Sequence, residues 1–123
     1  MIKKYSVHRN DDGLLIPVDF SSIPFDVSRC FVVAAPNRAI RGKHAHHETL
    51  QYIICVSGQL RLSIENNLGK DEVLMLPGDA YFHPNMEWAE IEFLDDSVFL
   101  SLCSTEYNEK DYIRDYDEFK EIL

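Results

Sequence analysis

The chain has 123 residues, a formal net charge of −9 at pH 7 and a hydrophobic fraction of 46%. The negative charge argues against a binder of nucleic-acid backbones, which needs an excess of Lys and Arg. No stretch approaches the roughly 20 apolar residues of a membrane span, and no apolar secretory core follows the N-terminal lysines. We therefore predict a single cytoplasmic domain over residues 1–123 that binds neither nucleic acid nor membrane.

Short strand-like segments separated by turns run along most of the chain. The clearest is Gln59–Glu65, where apolar and polar residues alternate as in a strand with one buried face. In chain order, the predicted strands are residues 5–8, 14–18, 29–34, 51–56, 59–65, 72–76, 80–83, 88–93 and 97–103. Strands at this short and regular spacing predict a β-sandwich or a closed β-barrel rather than an α/β fold.

Only the C-terminal tail is predicted to be helical. Asp115 is suited to be the N-cap of this helix. The apolar residues that follow share one helical face: Tyr116, Phe119, Ile122 and Leu123. The fold class is therefore all-β with one short C-terminal helix. We expect Tyr116 and Phe119, and Tyr112 before them, to pack against the rest of the fold or against a dimer partner.

The three cysteines, Cys30, Cys55 and Cys103, are odd in number and form no CxxC pair. This spacing indicates neither a disulfide framework nor a thiolate zinc site. All three lie among apolar residues, where free Cys behaves as a small hydrophobic side chain. We predict unpaired structural thiols in a reducing compartment.

The segment from Arg41 to Gln51 contains the residues that indicate chemistry. His44 and His46 are two residues apart, so both side chains share one face of an extended strand, while His47 faces away unless the strand bulges. On an inward face, two imidazoles suit general acid/base catalysis, because imidazole exchanges a proton near neutral pH. On an outward face they would be surface residues, and the pair alone leaves both alternatives open.

The order His-x-His, Gln51 and Gly58 resembles the first motif of the cupin superfamily, which implies a cupin or jelly-roll β-barrel. In metal-binding cupins, a Glu stands at the place of Gln51 and a further His stands near Trp88. A neutral amide is a weaker metal ligand than a carboxylate. His83, the nearest other candidate, precedes Pro84 at a predicted strand end. We therefore predict no bound metal.

Longer motifs resemble one cupin family, the dTDP-4-keto-6-deoxyhexose 3,4-ketoisomerases. Residues 41–46, followed by Gln51, match the family signature RGxHAH…Q. Three more segments resemble the family in the same order: Ile23-Pro24-Phe25 leading to Arg29, Pro84 to Trp88, and Ser104 to Phe119. The resemblance spans nearly the whole chain.

The resemblance implies a homodimeric isomerase that needs no cofactor. Its substrate would be dTDP-4-keto-6-deoxy-D-glucose, whose keto group moves from C4 to C3 through an enediol or enediolate. The product would lead to 3-amino-3,6-dideoxy sugars of lipopolysaccharide or S-layer glycans. His46 matches the histidine that carries the proton between C3 and C4, and His44 matches its partner at the sugar oxygens. Arg41 matches the motif arginine, a suitable anchor for the pyrophosphate or a sugar oxygen.

Three further residues are candidate ligands of the substrate. Gln51 belongs to the signature itself. Trp88 lies in a family-like segment and suits a wall against the sugar or the base, although an indole is equally at home in a core. Arg61 lies on an alternating strand and is long enough to reach a phosphate, or it is a solvated residue of the polar face.

One departure from the family leaves alternatives open. Relatives often carry a tyrosine in the strand after the IPF…R segment, whereas this chain has Phe31, Val32 and Val33. Tyr52 and Tyr81 are other sources of a hydroxyl. The configuration of the product at C4, gluco or galacto, is open for this reason. The alternative functions are a non-catalytic nucleotide-sugar-binding cupin and a metal-dependent cupin enzyme.

Overall fold

The computed structural model describes residues 2–123, which form twelve β-strands and one α-helix. The strands are β1 Ile2–Lys4, β2 His8–Asn10, β3 Gly13–Leu15, β4 Arg29–Ala35, β5 Ile40–His46, β6 Gln51–Ser57, β7 Leu60–Asn66, β8 Gly69–Met75, β9 Asp79–His83, β10 Trp88–Phe93, β11 Ser97–Cys103 and β12 Tyr112–Ile113. The helix, α1, spans Tyr116–Ile122, and 3-10 turns occupy Phe20–Ser22 and Glu109–Asp111.

Ten of these strands form two antiparallel sheets of five strands each. The first sheet has the order β1-β9-β6-β11-β4, and the second has the order β12-β5-β10-β7-β8. Strands β2 and β3 form a separate hairpin. The inner faces of the sheets share one apolar cluster, which includes Ile53 and Phe99 from the first sheet and Leu62 and Phe93 from the second. This two-layer architecture confirms the all-β prediction.

Helix α1 confirms the predicted C-terminal helix and its cap. The carboxylate of Asp115 accepts hydrogen bonds from the backbone N–H groups of Asp117 at 2.8 Å and Glu118 at 3.2 Å. Of the predicted apolar face only Phe119 is buried, and its ring lies 5.7 Å from the Trp88 ring. Phe119 therefore fastens the helix to the outer face of the second sheet. Nowhere in residues 2–123 is a helix long and apolar enough to cross a membrane.

The N-terminal strand predictions are wrong in their bounds. Sheet pairing stops at Lys4, residues 5–7 are not in a strand, and β3 ends at Leu15 instead of continuing to residue 18. Beyond Lys4, the backbone N–H of Tyr5 donates to the Gly78 carbonyl oxygen at 2.8 Å, and the Tyr5 hydroxyl lies 2.6 Å from Ser22 Oγ and donates to the Tyr52 hydroxyl at 3.2 Å. The other predicted strands are present, with bounds that differ by at most three residues.

A β-bulge interrupts the pairing of β5 with β10. His44 lies opposite Ala89 and Gly42 lies opposite Glu90, so Lys43 is an extra residue. Gly42 and Lys43 both have positive φ angles, 86° and 57°, and a Cβ on Gly42 would lie 3.0 Å from the Ala89 carbonyl oxygen. The extra residue shifts the alternation of side chains by one position. Arg41 therefore points to the same inner face as His44.

All three cysteines are free thiols. Cys55 and Cys103 are buried, as predicted, whereas Cys30 is exposed. The reason is that Cys30 points outward from β4, between Arg29 and Phe31, whose side chains point inward.

Candidate active site

A cavity of about 360 Å³ lies between the inner faces of the two sheets. Its floor is apolar and includes Phe31, Ile53, Ile91 and Phe99. Its polar lining comes from both walls: Arg29, Gln51 and Ser101 on the side of the first sheet, and Arg41, His44, Tyr112 and Arg114 on the side of the second. An apolar cavity with a few convergent polar groups is the usual form of a small-molecule site.

The two predicted histidines lie side by side on the wall formed by β5. The ring centroids of His44 and His46 are 4.9 Å apart, with an angle of 80° between the ring planes. Tyr112 is the register partner of His46 on β12, and its ring lies 4.4 Å from that of His46 and 5.2 Å from that of His44. The three rings form one cluster, with His44 and Tyr112 at the cavity surface and His46 behind them, 2% exposed.

The hydrogen bonding of this pair is incomplete. Among residues 2–123, the only buried side-chain nitrogen or oxygen atoms without a hydrogen-bond partner are Nδ1 of His44 and Nδ1 of His46. A buried polar atom without a partner costs about 1–3 kcal/mol, so proteins seldom leave one unless it has a function. Both imidazoles therefore keep a nitrogen free of internal bonds.

Burial lowers the pKa of His44 to about 4 and that of His46 to about 3. For His46, the neighbouring His44 and His83 lower the pKa further, since each would repel a second positive charge. Both side chains are neutral at pH 7. A neutral imidazole carries one N–H donor and one lone pair, so each ring can accept a proton and later return it.

Gln51 lies on the opposite wall and is held from behind by His83. The two residues are register partners on β6 and β9, and the Gln51 carboxamide lies 3.2 Å from Nδ1 of His83. Nε2 of His83 lies 2.7 Å from the carbonyl oxygen of Glu87. Both ring nitrogens of His83 are therefore occupied, unlike those of the other two histidines.

These residues do not fit the metal site of metal-binding cupins. Gln51 supplies a neutral amide, and His83 has no nitrogen left for a metal. Within residues 2–123, no group of three or more His, Cys, Asp and Glu side chains is arranged to hold a metal ion. The donor set disagrees with a cupin metal centre.

Three arginines surround the cavity, although the chain as a whole is acidic. Arg114 donates to both carboxylate oxygens of Glu109, at 2.8 and 2.9 Å, and its guanidinium lies 4.2 Å from the Tyr112 ring centroid. Arg29 lies 4.9 Å from the Phe31 ring centroid. Neither Arg29 nor Arg41 forms a salt bridge within residues 2–123, so the cavity carries an excess of positive charge.

Two predicted site residues, Trp88 and Arg61, are not brought to this cavity. Trp88 lies on the outer face of β10, packs against Phe119 and donates through Nε1 to Glu90 Oε2 at 3.0 Å. Arg61 lies on the outer face of β7 and pairs with Glu92 at 2.9 Å. Side chains alternate between the two faces of a strand. Because the neighbours of Trp88 and Arg61 in the sequence point inward, these two side chains point outward.

The two candidate tyrosines also lie elsewhere. Tyr52 points to the outer face of the first sheet, where it accepts a hydrogen bond from Tyr5, and Tyr81 donates to Glu87 Oε1 at 2.6 Å. On β4 the residues that face the cavity are Arg29, Phe31 and Val33, none of which has a hydroxyl. The phenol beside the histidines is Tyr112.

Sequence reasoning missed four polar cavity residues as site residues: Arg29, Ser101, Tyr112 and Arg114. Tyr112 was expected only to pack. Its place follows from the pairing of β12 with β5, which joins segments 66 positions apart in register. The family-like ending around Tyr112 and the IPF…R segment ending at Arg29 were the signals that pointed to Tyr112, Arg114 and Arg29.

Comparisons with known proteins agree with one another. A family model described as "FdtA: WxcM-like, C-terminal" matches residues 1–123. The TDP-4-oxo-6-deoxy-alpha-D-glucose-3,4-oxoisomerase of Aneurinibacillus thermoaerophilus is 30% identical over 115 residues, which cover 90% of this chain and 83% of that protein.

Solved structures of sugar 3,4-ketoisomerases share the fold. The enzyme QdtA of Thermoanaerobacterium thermosaccharolyticum, in complex with TDP, has a TM-score of 0.87 at 25% identity, covering 99% of this chain and 92% of QdtA. A 3,4-ketoisomerase of Helicobacter canadensis has a TM-score of 0.86 at 28% identity, covering 99% of this chain and 95% of that one.

Proposed function

We propose that this chain, which belongs to the family described as FdtA: WxcM-like, C-terminal, is a dTDP-4-keto-6-deoxy-D-glucose 3,4-ketoisomerase. The observation that carries the proposal is the pair of neutral imidazoles, half-buried His44 at the surface of a cavity of sugar size and buried His46 beside it, each with an unpaired Nδ1. The named relatives act as 3,4-oxoisomerases or 3,4-ketoisomerases of sugars, and the first acts on the TDP-linked substrate proposed here.

The reaction moves two protons and needs no external oxidant. The proton on C3 leaves to give an enediolate, and a proton is returned to C4. At the same time the hydroxyl proton of O3 is lost and O4 gains one. C3 is oxidised while C4 is reduced within the same molecule, so protein side chains that transfer protons are sufficient.

We assign the carbon-bound proton to His46 and the oxygen-bound proton to His44. In this assignment the neutral His46 accepts the proton from C3, becomes an imidazolium and donates it to C4. Because His46 lies behind His44 and Tyr112, these two rings have to open a path to it when the substrate binds. His44, at the cavity surface, is assigned to the sugar oxygens, and the centroid of the Tyr112 ring lies 5.2 Å from that of His44 and 4.4 Å from that of His46. Tyr112 thereby supplies a hydroxyl beside the pair, where β4 supplies none.

We assign the negative parts of the substrate to the arginines. Arg29 and Arg41, which have no internal ion pair, are suited to the pyrophosphate, because a guanidinium binds phosphate oxygens in a bidentate manner. Arg114 is already neutralised by Glu109, and it is better suited to orient Tyr112 beneath its guanidinium. Gln51 is assigned to a sugar hydroxyl. The proposal gives Trp88 and Arg61 no contact with the substrate.

We also propose that the chain is a cytoplasmic homodimer. Strand β4 has one unpaired edge, and Val32 on it is 64% exposed; the hairpin β2–β3 pairs with neither sheet, and its Leu15 is 62% exposed. Open edges of this kind favour pairing with another chain. Three free thiols support a reducing compartment. Light scattering after gel filtration should give about twice the monomer mass of 14.3 kDa, and a monomer would contradict the proposal.

The activity test uses purified protein and dTDP-4-keto-6-deoxy-D-glucose in D₂O. Proton NMR should show conversion to the 3-keto sugar with deuterium entering at the reacting carbons, and a coupled 3-aminotransferase should trap the product. We expect His46→Asn to lower kcat about 10²- to 10⁴-fold, the range of general acid/base catalysis. His47→Asn is the matched control, because His47 is the exposed neighbour of His46. A folded wild-type protein that binds the substrate without turnover would show a binding protein instead.

A further inference from the structure

His83 is a fully enclosed imidazole that the proposed reaction does not use. It is 1% exposed, it lies on β9, and its ring is 6.4 Å from that of His46. Its Nε2 lies 2.7 Å from the carbonyl oxygen of Glu87, and its Nδ1 lies 3.2 Å from Gln51 Oε1. Gln51 Nε2 lies 3.7 Å from Cys103 Sγ, and Cys103 Sγ lies 3.9 Å from Ser101 Oγ.

The carbonyl of Glu87 fixes the proton on His83. A carbonyl oxygen only accepts hydrogen bonds, so Nε2 must carry the hydrogen. Burial lowers the pKa of His83 to about 4, so the ring is neutral at pH 7 and has no second hydrogen. Nδ1 is therefore an acceptor, and it cannot bond the Oε1 atom that faces it. The two ends of the Gln51 carboxamide must exchange places, so that the NH₂ faces His83 and the oxygen faces Cys103.

The rest of the chain of hydrogen bonds then has one consistent direction. With its NH₂ toward His83, Gln51 turns its carbonyl oxygen toward Cys103. Burial raises the pKa of the Cys103 thiol, so the sulfur keeps its hydrogen and donates it to that oxygen. Ser101 donates in turn to the sulfur. The direction runs from Ser101 through Cys103, Gln51 and His83 to the Glu87 carbonyl.

The direction of these hydrogen bonds determines whether the cavity wall formed by the first sheet presents donors or acceptors to a ligand. Ser101 and Gln51 both line the cavity. While the Ser101 hydroxyl donates to Cys103 Sγ across 3.9 Å, its oxygen presents lone pairs to the cavity, and the Gln51 oxygen keeps one lone pair as well. Such a wall accepts hydrogen bonds from hydroxyl groups.

We propose that His83 is a positioning residue, which holds Gln51 and Ser101 in the orientation that accepts hydrogen bonds from the hydroxyls of the bound sugar. The contact with the sugar rests on the proposed function, whereas the orientation of the chain of hydrogen bonds does not. His83 acts through Gln51 and touches no reacting atom.

The first experiment reads the orientation in the ligand-free wild-type protein. NMR of ¹⁵N-labelled histidine should show His83 as the neutral Nε2–H tautomer from pH 5.5 to 8, with an unprotonated Nδ1. The Gln51 NH₂ signals, assigned by their loss in Gln51→Glu, should show nuclear Overhauser effects to the His83 ring. A hydrogen on Nδ1 in this range would overturn the proposal.

The second experiment measures binding by calorimetry with two probes, dTDP-glucose and dTDP. The His83→Leu substitution frees Gln51 to rotate. It should therefore lower the affinity for dTDP-glucose about 5- to 30-fold, as expected for one or two lost hydrogen bonds, and leave the affinity for dTDP unchanged. His83→Gln, which keeps one donor and one acceptor, should restore most of the affinity for dTDP-glucose. Equal weakening of both probes, or of neither, would overturn the proposal.

Two controls keep the outcomes separate. If His83→Leu does not fold, Ser101→Ala at the cavity end tests the same wall with the same two probes and the same expected contrast. Because the binding assay needs no turnover, an inactive wild-type protein would refute the isomerase activity and leave this test intact.

Discussion

Acid should destabilise this protein through its buried histidines. His44, His46 and His83 have folded-state pKa values of about 4, 3 and 4, below the ordinary value of 6.5. Because the folded pKa is the lower one, the unfolded chain binds more protons between these values. Stability is therefore complete above pH 6.5 and is lost as the pH falls from 6.5 toward 4.

The magnitude follows from these pKa values. Consider a histidine with a folded pKa of 4 or less and an unfolded pKa of 6.5. Between pH 7 and pH 5 it lowers the free energy of unfolding by about 2 kcal/mol. Three such groups together give a loss of up to about 6 kcal/mol between pH 7 and pH 5. This is a large part of the roughly 5–15 kcal/mol that stabilises a domain.

Urea unfolding at pH 7, 6 and 5 measures this loss, and His46→Asn identifies its source. The variant should lose about 2 kcal/mol less than the wild type between pH 7 and pH 5, because it lacks one of the three groups. His8→Asn is the matched control, since His8 is exposed, and it should behave as the wild type. A pH dependence of His46→Asn equal to that of the wild type would refute the reasoning.

Two positions outside the cavity should be sensitive for backbone reasons. Gly58→Ala, at a φ of 80°, puts a Cβ into Ser97 Oγ and 2.7 Å from the Asp96 carbonyl oxygen, so it should lower the free energy of unfolding by more than about 3 kcal/mol. Gly69→Ala, with no neighbour within 4 Å of its Cβ, should lose about 1–2 kcal/mol; equal losses in thermal melts would contradict the clash. Asp111→Ala removes the acceptor of the Glu48 and Thr49 backbone N–H groups and should lose about 2–4 kcal/mol by urea unfolding; a loss under about 1 kcal/mol would be contrary.

The sequence predicted those elements that local patterns determine. β10 and β11 have the predicted bounds, and Asp115 caps α1, because alternation and capping are local properties. The strand predicted at residues 5–8 was wrong, since Tyr5 bonds the Gly78 carbonyl through its backbone and Ser22 and Tyr52 through its hydroxyl instead of extending a strand. Such a contact lies between segments that no local window contains.

The sequence predicted the two histidines of the candidate site but not the inward position of Arg41 or the presence of Tyr112. His44 and His46 follow from the motif, but strict two-residue spacing puts Arg41 on the face opposite to His44. Only the bulge at Lys43 brings Arg41 inward. Tyr112 could not be placed in the cavity, because its position depends on the pairing of a two-residue strand with β5.

Three imidazoles with similarly lowered pKa values divide into two groups according to their hydrogen-bond partners. His83, like His44 and His46, is neutral, but its two nitrogens are bonded to Gln51 and Glu87, so it has no site from which to exchange a proton with a ligand. Nδ1 of His44 and of His46 has no such partner. A base with a pKa near 3 binds a proton weakly, so the imidazolium of His46 must be stabilised as it forms. In the reaction that we propose, the enediolate is the anion that forms in the same step, and its charge would stabilise that imidazolium. Under this proposal, the low pKa of His46 makes the imidazolium depend on the intermediate and favours return of its proton to carbon at C4.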